Sequence, residues 1–173
     1  MFKKKQGTLF WVTGLSGSGK TTISKKIENR INKLYGPTIA ISGDDLREIF
    51  KFNKYSKKER LILAYKYCMF CKLVTSQGTN IIFSTIAMFE EVRKWNRKNI
   101  NSYVEIYIKS SVDQLIKKKM KKTYHKKYKN IWGIHIKSEL PKNPDILIDN
   151  NFKKSTTEMS NDLIKKIKKL KRN

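Results

Sequence analysis

No apolar run in this 173-residue chain approaches the length of a membrane-spanning helix, so its sequence offers no helical span. Arginine is scarce as well: only six of the 39 basic residues are arginine, the rest being lysines spread along the chain. Nucleic-acid readers draw on arginine for base edges and paired phosphate contacts. The net charge of +25 therefore reads as a solvated lysine face that also attracts anionic substrates, and no nucleic-acid partner is expected. Cysteine is limited to Cys68 and Cys71, a lone C-x-x-C inside the apolar helical stretch 61–71. There is no second pair and no nearby histidine, whereas structural zinc needs four ligands and thioredoxin chemistry a different strand–helix context. Buried, reduced thiols are expected. Lys3-Lys4-Lys5 ahead of an apolar stretch resembles a secretion signal only superficially, because that stretch ends after five residues in a glycine-rich loop. It reads as a buried first strand, with a cytoplasmic location and no membrane partner expected.

What is present is more specific. Gly14-Leu15-Ser16-Gly17-Ser18-Gly19-Lys20-Thr21 is a complete G-x-x-x-x-G-K-[ST] phosphate loop, followed by Thr22. Its glycines let successive backbone N–H groups turn around a polyphosphate, and the next helix adds positive potential at its N-terminus. Lys20 is placed to reach the β/γ-phosphates and the Thr21 hydroxyl to hold Mg²⁺. The apolar run 8–12 precedes the loop, and Ile23, Ile27, Ile31 and Leu34 follow it at helical spacing. The chain is expected to bind ATP with Mg²⁺.

At 39% apolar residues the chain is globular, and its length suits one domain over residues 1–173. Short runs rich in Ile, Val, Tyr and Phe predict strands at 8–13, 38–42, 80–84, 103–108 and 145–149. Helical patterns lie between them at 20–34, 44–50, 57–76, 89–98, 112–119 and 155–170. Near-continuous apolar strands alternating with helices predict an α/β fold, a five-stranded parallel sheet with helices on both faces. The lysine-rich segment 121–142 has no clear periodicity or hydrophobic face, and is expected to be a mobile lid over the nucleotide.

Ligands of such sheets bind beyond the carboxyl ends of the strands. The second strand ends there in Ser42-Gly43-Asp44-Asp45-Leu46-Arg47. A carboxylate at this place can take a proton from a substrate hydroxyl or help hold Mg²⁺. Asp44 and Asp45 could equally serve as a helix cap and first-turn acid.

With these residues in view, nearly the whole chain resembles the adenylylsulfate kinase family of P-loop kinases. That family carries GLSGSGKTT, as at Gly14–Thr22, and then Asp-Gly-Asp-Asn-x-Arg, matched by Ser42–Arg47. Its Asp-Arg pair looks like Glu59-Arg60, its Ser-Pro-Tyr like Ala87-Met88-Phe89, and its following arginines like Arg93 and Arg97. Its lid motif Lys-Gly-Leu-Tyr is similar to Lys121–Tyr124, and its closing segment is matched by Gly133-Ile134, Glu139, Pro141 and Pro144. The resemblance implies a P-loop kinase fold and transfer of the ATP γ-phosphoryl group to the ribose 3′-hydroxyl of a nucleotide carrying an anionic 5′-conjugate. It implies catalytic roles for Lys20 and Asp44, with Thr21 and Asp44 toward Mg²⁺. ATP would lie on Gly14, Ser16, Gly17, Ser18, Gly19, Lys20, Thr21 and Thr22. The acceptor nucleotide would meet Arg47, Tyr55, Arg60, Phe89, Lys121, Ile131 and Trp132. Its partner is a small-molecule nucleotide, and the family often forms homodimers.

The departures fall on the acceptor side. Ser42 stands where the family has an acid, Leu63 where it has asparagine, and Tyr65 where it has arginine. The two adenine-sandwiching aromatics correspond to Tyr55 and Ile131, with Trp132 adjacent. These changes resemble the branch that phosphorylates cytidine diphosphoramidate in capsule biosynthesis, with adenylylsulfate as the alternative acceptor. A rival of another class is an ATP-switched RNA- or membrane-surface protein, motivated by the lysine cluster 117–129. A kinase for another small hydroxyl compound is a third reading.

Overall fold

The computed structural model describes residues 5–118 and 131–170. Among the described residues five strands and six helices follow in chain order: β1 (Leu9–Thr13), α1 (Lys20–Tyr35), β2 (Thr38–Ser42), α2 (Gly43–Ile49), α3 (Lys57–Ser76) and β3 (Asn80–Thr85). Then come α4 (Glu90–Asn99), β4 (Tyr103–Lys109), α5 (Val112–Lys117), β5 (Ile146–Asp149) and α6 (Thr156–Leu170). The strands form one parallel sheet in the order β2-β3-β1-β4-β5.

Both faces of the sheet are covered, which is why β1 and β3 are buried along their whole length. One face is mainly aliphatic: Phe10, Val12, Ile82, Ile106 and Ile108 pack on Ile23, Ile27 and Ile31 of α1 and Leu163 and Ile167 of α6. The other face is aromatic, with Trp11 stacked on Phe83 at 5.3 Å and Tyr67 of α3 against Phe83 at 5.1 Å. Cys68 and Cys71 lie in this second layer as free, buried thiols. Burial pushes the Cys68 thiol up to about 12, and Cys71 is raised for the same reason.

Small boundary differences have local causes. Thr8 is left out of β1, its N–H donating to the Asn80 side chain at 2.9 Å. Asp145 precedes β5 because its carboxylate is taken by Arg97 and by the Glu105 N–H. Phe89 is the N-cap of α4 rather than its first residue. Ser155 begins a capping arrangement before α6, accepting from Glu158 N–H at 3.2 Å. Helix α5 ends at Lys117, and Lys119 lies outside the described residues.

Strand register sets up the site. Thr13 pairs with Thr85 and Ser42 with Ser84, so β1, β2 and β3 end side by side. The phosphate loop, α2 and the loop 86–89 therefore emerge from one edge. At the other side of the sheet Lys166 of α6 donates to the Leu147 carbonyl of edge strand β5 at 2.7 Å.

Candidate active site

Gly19 is the N-cap of α1 with φ 89°, a left-handed conformation that suits glycine, and its helix has no acid in the first turn. No side chain caps this helix start, and its positive end favours an anion. Gly14 lies so close to the Ile108 carbonyl that a Cβ would stand 2.4 Å from that oxygen. Asn150, just after β5, donates its side-chain amide to the Ser18 carbonyl at 3.0 Å and fixes the loop from behind. Lys20 is buried, its ammonium donating to the Leu15 carbonyl across the loop at 2.7 Å. The Thr21 hydroxyl lies 3.5 Å from that of Ser84.

The ambiguity over Asp44 and Asp45 is resolved by the backbone. Ser42 is the N-cap of α2, accepting from Asp45 N–H at 3.2 Å, while the Asp45 carboxylate accepts from Ser42 N–H at 2.8 Å. This is a complete capping box. The serine that replaces a family acid and the second aspartate are both used in it, and Asp44 is left exposed and outside the cap.

Arg47 and Arg60 flank one tyrosine. The Arg47 guanidinium sits 4.7 Å from the Tyr55 ring centre and Arg60 5.3 Å. Arg47 donates to the Phe52 and Lys54 carbonyls at 3.0 and 3.2 Å, and Arg60 to the Tyr55 carbonyl at 2.9 Å. Burial, then the neighbouring Arg47 charge, lowers the pKa of Arg60. Two like charges held together in this way make a receptor for an anion.

These groups meet in one cavity of about 950 Å³. Its lining includes Ser16, Gly17, Gly19, Lys20, Thr21, Thr22, Asp44, Arg47, Tyr55, Arg60, Phe89, Ile131 and Trp132. Gly14 and Ser18 shape the loop without lining the cavity. Lys121 lies outside the described residues. Residues 131–142 pack on the body: Trp132 meets Phe89 edge-on at 4.9 Å, and Glu139 accepts from the Glu90 N–H at 2.8 Å at the start of α4. Glu139 N–H also donates to the Met88 carbonyl at 3.1 Å. Arg93 and Arg97 are turned to Glu105 and Asp145 instead, in a network away from the cavity lining.

The family model described as "Adenylylsulphate kinase" matches residues 6–149. The chain belongs to the adenylylsulphate kinase family. It is a nucleotide phosphotransferase with the α/β fold of P-loop kinases. A relative from Campylobacter jejuni subsp. jejuni serotype O:2, named cytidine diphosphoramidate kinase, is 34% identical over 95% of this chain and 98% of its own length. An adenylyl-sulfate kinase from Clostridium kluyveri is 30% identical over 86% of this chain and 77% of its own. The solved Mycobacterium tuberculosis APS kinase in complex with AMPPNP and APS shares the fold, with a TM-score of 0.83 at 22% identity over 94% of this chain and 98% of that one.

Several lining residues of this adenylylsulphate kinase family member escape a motif search: Ala64, Tyr67, Ser84 and Thr85. Tyr67 was the most legible of them, because Arg60, Leu63, Ala64 and Tyr67 recur at i, i+3, i+4 and i+7 on α3. Ser84 and Thr85 are marked only by their place at the carboxyl end of a strand.

Proposed function

We propose that this kinase transfers the γ-phosphoryl group of ATP to the ribose 3′-hydroxyl of a cytidine 5′-diphosphoramidate-type conjugate. One observation carries the reading: a single cavity joins the phosphate loop at one end to the Arg47–Tyr55–Arg60 group at the other, with Asp44 on its lining. The loop amides, Lys20 and the α1 N-terminus bind the triphosphate of ATP. Arg47 and Arg60 exchange their backbone carbonyl partners for the oxygens of the acceptor's 5′-conjugate. Asp44, free of the capping box, orients or deprotonates the 3′-hydroxyl. Phosphoryl transfer asks mainly for alignment and charge neutralisation, and this arrangement provides both.

The residues present fit Mg²⁺ bound chiefly through nucleotide phosphates. Among the described residues no group of three or more His, Cys, Asp or Glu is placed to hold a metal ion. The available donors are hard oxygens, the Thr21 hydroxyl and the Asp44 carboxylate, which suits an ion that retains waters and phosphate ligands. When bound, Mg²⁺ neutralises phosphate charge. A single kinase domain and a cytoplasmic location are part of the same proposal; of the lid expected over 121–142, residues 131–142 are packed on the body and Lys121 lies outside the described residues.

The cytidine conjugate is favoured over adenylylsulfate by two considerations. The Campylobacter relative with that activity in its name aligns almost end to end. The acceptor end also offers Tyr55 and Ile131 in place of two facing rings, enough for a pyrimidine. The remaining relatives described as adenylyl-sulfate kinases keep that acceptor as the second reading. Steady-state assays with ATP and each acceptor decide between them. A kcat/KM higher for the cytidine conjugate is expected, whereas a preference for adenylylsulfate by more than about 10² rejects the ordering.

A further inference from the structure

Tyr67 lines the cavity beside the start of α2. Its ring is buried against Phe83, its hydroxyl donates to the Gly43 carbonyl at 2.7 Å, and it stands two helical turns after Arg60 on α3. The Gly43 carbonyl belongs to the peptide unit whose nitrogen is that of Asp44. A peptide is planar, so holding its oxygen sets the direction in which the Asp44 backbone departs. The same glycine is confined on two sides: a Cβ there would lie 3.2 Å from the Tyr67 ring and 3.0 Å from the Thr85 hydroxyl. The capping box holds Ser42 and Asp45 on either side of this unit. Asp44 itself takes no part in that box, so its aim depends on the backbone beneath it.

We propose that Tyr67 is a positioning residue, its hydroxyl clamping the Gly43–Asp44 peptide so that the Asp44 carboxylate faces the acceptor hydroxyl. The inference rests on the kinase reading given above. Tyr67 also belongs to the helix that presents Arg60, so one hydrogen bond sets the spacing between the group that grips the acceptor and the group that aims its oxygen. A misplacement of about 1 Å at such a site lowers rates by up to ~10².

The test uses four full-length proteins: wild type, Tyr67→Phe, Asp44→Asn and the double variant, each assayed with both acceptor conjugates. Tyr67→Phe is expected to lower kcat about tenfold while KM for ATP stays within about twofold. Because its effect runs through Asp44, the double variant should be no slower than Asp44→Asn alone. A wild-type kcat in Tyr67→Phe overturns the assignment, and so does a multiplicative further loss in the double variant. The melting temperature should stay close to wild type, since the phenylalanine ring keeps its place against Phe83. Collapse of the fold on loss of this one oxygen would make the hydroxyl structural and overturn the assignment too. A wild type inactive on both acceptors sinks the kinase reading itself, and with it the role of Tyr67.

Discussion

Asp44 and Asp45 are adjacent and chemically identical, yet a helix terminus separates their duties. Asp45 stabilises the start of α2 by accepting from Ser42, and Asp44, outside the cap, is the residue proposed for the chemistry. Asp44→Asn should therefore keep ATP affinity near normal while kcat falls by about 10², or ~2.7 kcal/mol of transition-state stabilisation. Isothermal titration with an ATP analogue beside turnover assays checks the split. Lys20→Ala is expected to abolish turnover and weaken ATP binding as well, because its ammonium is buried beside the loop and the loop 14–21 carries no second basic residue. Arg60→Ala should raise the acceptor KM by tens-fold while the KM for ATP holds within about twofold, read from initial rates with each substrate varied. The phosphate loop was plain in the sequence because its pattern is local. The resemblance named Asp44, but the residue pattern alone left Asp44 and Asp45 open, because the capping role depends on which residue the backbone makes the third of the helix.

Helices α2, α3, α5 and α6 begin with reciprocal side-chain caps, and all but that of α5 use a carboxylate. A hydrogen bond from Ser56 chiefly lowers the pKa of Glu59, and bonds from Ser155 lower that of Glu158. A group whose folded pKa is depressed stabilises the fold above its unfolded pKa and loses that contribution as the pH falls through the folded value. Helix content measured by circular dichroism should therefore decline below the ordinary glutamate value of 4.5, with α3 and α6 fraying first. Ser56→Ala or Ser155→Ala should flatten that acid limb. Glu139 acts across a longer distance, capping α4 from the segment that carries Trp132. Glu139→Ala is expected to cost about 1 kcal/mol in urea unfolding, as lost caps commonly do. Element positions were legible from apolar runs and helical spacing, since burial on both faces leaves little freedom in composition. The contact of Glu139 with Glu90 was not, because nothing near either residue marks a partner 49 positions away. The face of Tyr67 was legible from its helical spacing to Arg60, but its bond was not: in an apolar helix the ring reads as ordinary core, and only its hydroxyl distinguishes it.

At the scale of the molecule, 39 basic against 14 acidic residues create a field that reaches beyond any one contact. Both proposed substrates are polyanions, so encounter is expected to be faster at low ionic strength. Raising KCl from about 20 to 300 mM should lower kcat/KM several-fold and leave kcat nearly unchanged, since the Debye length shrinks while the buried contacts are little screened. A protein that used ATP only as a switch on RNA or a lipid surface would instead lose macromolecular binding with salt and release no phosphorylated nucleotide. The sheet has two edges, β2 and β5, and edges invite pairing with a foreign strand. At β5 the Lys166 ammonium already occupies the Leu147 carbonyl. An incoming strand would have to evict a lysine and bring its own backbone against a strongly cationic molecule, so this border works as a guard against cross-β growth.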